Sequence, residues 1–185
     1  QAADVVAGNG YKWLRAGRGA GFAWFSERAL ERLTPVFSGV TGTDFAGLPT
    51  DHVPPVSRGA HAFTVARPEP TAAARLAAGL QEVIDVGVGV IEAELAERVR
   101  DVMFLADRYG LPVRTPREPE RRAGIVALAP DAGDVAALAA SLANHGLTVT
   151  TRDDNVRISP HVGTGSDSFQ LLGDAFAAFA SDRIY

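Results

Sequence analysis

Cysteine is absent from this chain of 185 residues. That excludes a disulfide framework and any thiolate metal site. The histidines His52, His61, His145 and His161 show no H-x-x-x-H spacing, so no metal is assigned. No apolar run approaches the ~20 residues of a transmembrane helix, and no charged, apolar, then small-residue leader opens the chain. A membrane partner is therefore not expected, and a cytoplasmic location is the default expectation. Neither sign of charge dominates: 18 basic and 22 acidic residues leave a net charge of −4, which gives no nucleic-acid footprint. Internal repeats and low-complexity tracts are also missing. What remains is an apolar fraction of 46%, ordinary for a globular protein, and enough chain for one domain or two small ones. Lysine is nearly absent as well. Lys12 is the only one among the 18 basic residues.

That lysine lies in the most informative stretch, Gly8 to Phe25, GNGYKWLRAGRGAGFAWF. It follows Gly8-Asn9-Gly10 and precedes Gly17, Gly19 and Gly21, a density of glycine that lets backbone turn tightly or approach a ligand closely. Asp4-Val5-Val6-Ala7 before it reads as the end of a buried strand, and Phe22-Ala23-Trp24-Phe25 after it as a second strand. The lysine is thus expected on a loop between two strands, beside aromatic bulk able to keep its amine partly dry. Desolvation favours the neutral amine, the form needed for covalent chemistry with a carbonyl cofactor.

Along the rest of the chain, Ser26 is a plausible N-cap for a short helix from Glu27 that Thr34-Pro35 stops. Residues 38–69 are punctuated by glycine and proline and read as a long loop. A helix from Thr71 to Val86 carries Leu76, Leu80, Val83 and Ile84 on one face. A second, from about Val90 to Tyr109, carries Ile91, Leu95, Val99, Val102 and Leu105 and stops at Gly110. The bend at Gly87–Gly89 is the expected domain boundary, giving units 1–88 and 89–185. Beyond it, Pro112–Arg114, Gly124–Leu128, Leu147–Thr151 and Val156–Ser159 read as strands. The last two are joined at the turn signal Asp153-Asp154-Asn155. Helices are expected at Asp134–His145 and from Ser166, the latter with Phe169, Leu172, Phe176 and Phe179 facing inward. Arg157 alternates with apolar Val156 and Ile158, so its side chain points the other way. A guanidinium so placed can clamp a carboxylate through two parallel hydrogen bonds, or can pair with Asp153 or Asp154 on the strand surface.

N-G-Y-K-W-L-R-A-G-R-G-A-G-F resembles the lysine segment of the class V aminotransferases, fold-type I enzymes that use pyridoxal 5'-phosphate (PLP). Their pattern is roughly S-G-H-K-W-L-x-G-P-x-G-x-G-F. Lys12, Trp13, Leu14, Gly19, Gly21 and Phe22 match; Asn9, Tyr11 and Ala16-Gly17 depart from it. Arg157-Ile158-Ser159-Pro160-His161 resembles a second recurring stretch of the same family, although Val162-Gly163-Thr164 stands where Tyr-Asn-Thr is usual. The resemblance implies an α/β fold: the C-terminal part of the PLP-dependent transferase large domain, followed by a small α+β C-terminal domain. It also implies a homodimer and a missing partner segment, the N-terminal half of the same enzyme, since relatives carry a long segment before the lysine.

The same resemblance implies roles. Lys12 holds PLP covalently and acts as the catalytic base, Asn9 and Tyr11 contact the cofactor phosphate, and Arg157 holds the carboxylate of an amino-acid substrate. Arg67 stands where relatives place a Gly-Thr pair that reaches the partner subunit's cofactor, and as a cation it could serve there. A cysteine desulfurase takes sulfur on a thiolate, which this chain does not have, so the expected reaction is β-elimination at a C–S bond of a cysteine-derived substrate. The residues around Ile125–Pro130, Thr148–Thr151 and Arg157–Val162 most resemble lyases that cleave hercynylcysteine sulfoxide. Transamination or epimerisation is the alternative within the family. A non-catalytic partner or scaffold fragment of this fold is the alternative outside it.

Overall fold

The computed structural model describes residues 3–37, 51, 55–67 and 69–182, and most of the long loop expected over 38–69 lies outside the described residues. The chain divides into two compact units, Gln1–Asp85 and Val86–Tyr185.

In the first unit, strands β1 (Val5–Asn9) and β2 (Gly21–Phe25) form an antiparallel pair, with Val5 opposite Phe25 and Asn9 opposite Gly21. Helix α1 (Glu27–Arg32) follows at once. The Ser26 hydroxyl accepts from the Ala29 N–H at 3.1 Å, and Glu27 sits in the positively polarised first turn. Asp4 ties the strand start to this helix, accepting from Arg28 Nε at 2.7 Å. A short 3₁₀ turn, Gly59–Phe63, stacks Phe63 on Phe25 with centroids 4.6 Å apart. Helix α2 (Pro70–Val86) opens with Glu69 as its cap; the carboxylate accepts from the Thr71 and Ala72 N–H groups at 2.9 and 2.6 Å. Those two bonds hold the Glu69 carboxyl below its ordinary pKa.

Two expectations for this unit are corrected. β1 is exposed rather than buried, because among the described residues its only sheet neighbour is β2; Val5, Val6, Phe22 and Trp24 are all exposed. On α2 the buried residues are Ala72 and Leu76, while Leu80 and Ile84 are exposed. The inward face is set by the backbone that α2 receives, described below, and not by the largest apolar side chains.

The second unit begins with α3 (Val88–Arg108), which follows Gly87 in a left-handed conformation, φ 89°. It starts two residues earlier than its periodicity suggests, so Gly89 lies inside it. It ends in a Schellman closure: the Leu111 N–H reaches the Ala106 carbonyl at 2.8 Å and the Gly110 N–H that of Asp107 at 3.2 Å, with Gly110 at φ 68°. Helix α4 (Val135–Asn144) closes the same way through Gly146 and Leu147. Leu111 is driven into the core as the motif's apolar partner, 2% exposed.

A three-stranded antiparallel sheet completes the unit. Its order is β3 (Val126–Leu128), β5 (Asn155–Ile158), β4 (Thr150–Arg152), and α5 (Ser166–Asp182) packs on α3 and α4. Gly124–Leu128 and Val156–Ser159 therefore share a sheet, as expected. The strands are shorter than read: Pro112–Arg114 contributes only a bridge from Val113 to Leu128, and β4 starts at Thr150 instead of Leu147. Leu147 and Val149 nevertheless pack on the core, so apolar character there reflects burial without pairing. Val126, Leu128, Val156 and Ile158 line the buried sheet face and meet Val99, Val102, Leu138, Leu142, Leu172 and Phe176.

Among the described residues no helix is long and apolar enough to cross a membrane. Phe176 is fully buried and stacks edge-on against Tyr109 with centroids 6.4 Å apart. Replacing it by Ala should cost about 3–5 kcal/mol of the second unit's stability, read as a lowered denaturation midpoint by circular dichroism; a change within error would place Phe176 outside the core.

Candidate active site

Asn9, Tyr11 and Lys12 come together at the end of the β1–β2 hairpin. The connection runs from Gly10 to Ala20. Gly10 donates to the Ala20 carbonyl at 3.0 Å, continuing the ladder, and the Ala16 N–H returns to the Gly10 carbonyl at 2.9 Å. Inside that closure the Lys12 carbonyl accepts from the Arg15 N–H at 3.2 Å, and Arg15 takes a left-handed φ of 52°. Side chains rarely adopt this conformation, and here the buried Ala16 holds the turn from the next position.

The loop is laid against α2 along residues spaced by four and three, one helical face. Ala72 lies under Gly19, Leu76 under Gly10 and Gly79 under Leu14. A Cβ on Gly79 would fall 2.9 Å from the Leu14 carbonyl oxygen, and one on Gly21 would fall 2.6 Å from the Gly8 carbonyl oxygen. Both contacts exist only because these residues have no side chain. Glycine inside a helix costs roughly 1 kcal/mol against Ala, so Gly79 is explained by this approach and not by helix formation.

The Lys12 amine is exposed and makes no hydrogen bond or ion pair among the described residues; its Nζ lies 5.8 Å from the Tyr11 ring centroid. The Arg18 guanidinium sits 5.4 Å from the same ring, placing two cations about one quadrupole. The expected drying of the amine is not seen here, because Tyr11 and Trp13 project from the loop, 43% and 37% exposed, instead of closing over it. Asn9 is exposed at the end of β1, beside the lysine loop. Arg67 is in the same unit, exposed, four residues beyond Phe63.

Arg157 belongs to the second unit. It stands mid-strand on β5 with Ala127 of β3 and Thr150 of β4 directly opposite, so all three share the face away from the core. It is half-buried and makes no side-chain hydrogen bond or ion pair among the described residues. One of the two acids considered as its surface partner is taken by another arginine: Arg114 donates to both Asp154 carboxylate oxygens, at 2.7 and 2.5 Å. That bidentate pair holds the Asp154 carboxyl well below the usual carboxylate range and raises Arg114. The lateral Arg114–Asp154 pairing was not legible from spacing, because it joins residues 40 apart through the Val113–Leu128 bridge. No group of three or more possible metal ligands occurs among the described residues.

The fold is that of the C-terminal part of PLP-dependent transferase chains. The apo cysteine desulfurase of Thermococcus onnurineus superposes with a TM-score of 0.83 at 21% identity, over 97% of this chain and 48% of that one. The cystine C–S lyase C-DES superposes with a TM-score of 0.77 in two forms. One is in complex with its reaction product cysteine persulfide, at 20% identity over 93% of this chain and 45% of that one. The other is a mutant with glycine covalently linked to the PLP cofactor, at 18% identity over 93% and 44%. This chain spans about half the length of the solved chains it matches. No family model matches the sequence, and no curated protein does either.

The close contact at Gly79 makes a test of the scaffold. Gly79→Val should push the Leu14 segment off α2, read as faster hydrogen exchange in the peptide spanning residues 10–20. Unchanged exchange in a folded variant would show that α2 does not set the lysine loop.

Proposed function

We propose that this chain is the lysine-bearing half of a PLP-dependent lyase that eliminates at a C–S bond of a cysteine-derived amino acid, with hercynylcysteine sulfoxide as the narrower candidate substrate. The observation that carries the reading is the Lys12 amine, without a hydrogen-bond or ionic partner among the described residues and held on a loop pinned to α2, in a chain with the fold of the C-terminal half of PLP enzymes. The residues at the hairpin end fit the cofactor. Lys12 supplies an amine for covalent attachment, and Asn9 and Tyr11 supply amide and phenol donors for a phosphate. Arg67 supplies a further cation. Its exposed position suits a phosphate reached from another subunit of a homodimer, and the N-terminal half of the enzyme supplies the remaining cofactor contacts. In this reading, Gln1–Val88 closes the large domain and residues 89–185 form the small one.

When bound, PLP supplies a ring that accepts the electron pair left at Cα. This chain's residues do the rest. Lys12 Nζ would hold the cofactor covalently and would take the substrate's Cα proton. The Arg157 guanidinium clamps the substrate carboxylate and so fixes which Cα bond is presented for cleavage. Departure of sulfur from Cβ follows as β-elimination. With no cysteine in this chain, none of its residues can carry the sulfur onward as a persulfide, which favours release over transfer.

Borohydride reduction of the PLP-loaded full-length protein should fix the cofactor on Lys12 alone, as mapped by peptide mass spectrometry. Label on another residue would end the assignment, and a chain that takes up no cofactor when paired with its N-terminal half would favour a scaffold fragment. L-Cystine, S-methyl-L-cysteine sulfoxide and hercynylcysteine sulfoxide serve as lyase probes, with release of a keto acid as the readout; amino transfer to an added keto acid would instead identify an aminotransferase.

Arg157→Ala should weaken substrate binding by about 30-fold or more, because truncating a buried charge-assisted contact costs ~2–5 kcal/mol. Arg157→Lys should restore only part, since an ammonium lacks the planar fork. The check is the KM for the active probe, with PLP loading and oligomeric state as controls; wild-type KM in a well-loaded Arg157→Ala would move the carboxylate site elsewhere.

A further inference from the structure

The segment that leaves the Arg157 strand is a closed turn. The Thr164 N–H donates to the His161 carbonyl at 2.8 Å, the His161 N–H donates to Thr164 Oγ1 at 2.9 Å, and the Gly163 N–H meets His161 Nδ1 at 3.1 Å. These bonds fix the turn's internal shape but not its height above the core. Beneath it lies a cavity of about 150 Å³, lined by Val102, Ile158, Pro160, Thr164, Phe169 and Leu172 among others. Close packing therefore does not seat the turn by itself. A long-range bond crosses to it: Arg98 Nη2 on α3 donates to the Val162 carbonyl at 2.7 Å, across 64 residues of sequence.

Arg98 is built for a fixed position. Its side chain is 20% exposed, and Glu94, one helical turn earlier, pairs with it at 2.8 Å. Its Nε is buried and has no hydrogen-bond partner among the described residues. A guanidinium with one buried donor left over is being kept there for what its other nitrogens hold. A surface arginine pairing with Glu94 alone would need neither the burial nor the carbonyl.

We propose that Arg98 is a positioning residue for the substrate carboxylate site: by anchoring Val162 it sets the height of the 159–165 turn and, through Ser159 and Ile158, the seat of Arg157 on β5. This rests on Arg157 as the carboxylate clamp. Arg98 itself touches neither substrate nor cofactor. It acts by holding backbone that a cavity leaves unsupported.

The test uses the PLP-loaded full-length protein. Arg98→Met should raise the KM of the active lyase probe by about tenfold or more, the scale of a small misplacement of a binding group. It should leave kcat within about threefold, the signature of lost substrate binding with intact chemistry. Hydrogen exchange in the peptide spanning 159–165 should accelerate at the same time, without substrate present. Arg98→Lys should recover part of both effects, because an ammonium can still donate to Val162 and pair with Glu94; it also serves as the working variant if Arg98→Met does not fold. Wild-type exchange in the turn would overturn the proposal, as would accelerated exchange with an unchanged KM. Arg157→Ala is run in parallel. If it raises KM while Arg98→Met does not, the proposal falls and the clamp stands. If Arg98→Met raises KM while Arg157→Ala does not, the clamp falls and the turn itself is the binding element.

Discussion

One backbone oxygen sets the geometry of the first unit. The Leu14 carbonyl sits where any side chain at Gly79 would begin, and that contact brings the whole lysine connection down onto α2. From it follow the stripe Ala72, Leu76 and Gly79, the buried Ala16, and the left-handed turn at Arg15. The lysine is thereby fixed at its base and free at its tip. Its carbonyl is bound within the loop, while its amine has no hydrogen-bond or ionic partner among the described residues. The backbone can therefore hold position while the side chain moves.

In the second unit the corresponding constraint is the period of a strand. β5 is central, so both of its edges are paired, and Val156 and Ile158 are buried between helices and sheet. A one-residue slip would exchange them with Arg157 and place a guanidinium in the core. The register that buries two aliphatic residues is thus the register that presents the arginine, flanked only by Ala127 and Thr150. Neither neighbour carries a charge, and the nearby Asp154 is claimed by Arg114 in a bidentate pair. The sheet in effect leaves Arg157 without an acidic partner among the described residues, on an open face it shares with Arg152 of β4.

Much of this was legible in the sequence, for identifiable reasons. Helix ends are set by local chemistry, and Ser26, Gly110 and Gly146 cap as their residue types demand. The Asp153-Asp154-Asn155 turn is likewise local: Asp153 takes a left-handed φ of 47° between β4 and β5. Alternation around Arg157 is local too. The misreadings share a cause. Apolar character alone could not tell a paired strand from buried coil at Leu147–Val149, or a covered strand from an open one at Val5–Ala7. On α2 burial takes Ala72 and Leu76 and leaves Leu80 and Ile84 exposed, because what packs there is the backbone of the lysine loop. Arg98 was invisible for a different reason: on a helix dense with Glu and Arg, nothing in spacing separates one arginine that reaches a carbonyl 64 residues away from its solvated neighbours.

The chain has two tryptophans, and both belong to the lysine hairpin: Trp13 follows Lys12, and Trp24 lies on β2, half exposed. The second unit has none. Intrinsic indole emission therefore reports on the hairpin unit alone, and melting of the sheet and helices beyond Val86 is silent to it while remaining visible to backbone dichroism. Comparing the two signals separates the folding of one unit from that of the other without any introduced label. An absorbing group attached at Lys12 would stand one residue from an emitter, close enough to drain its excited state, so the protein carries its own optical gauge of occupancy at that amine.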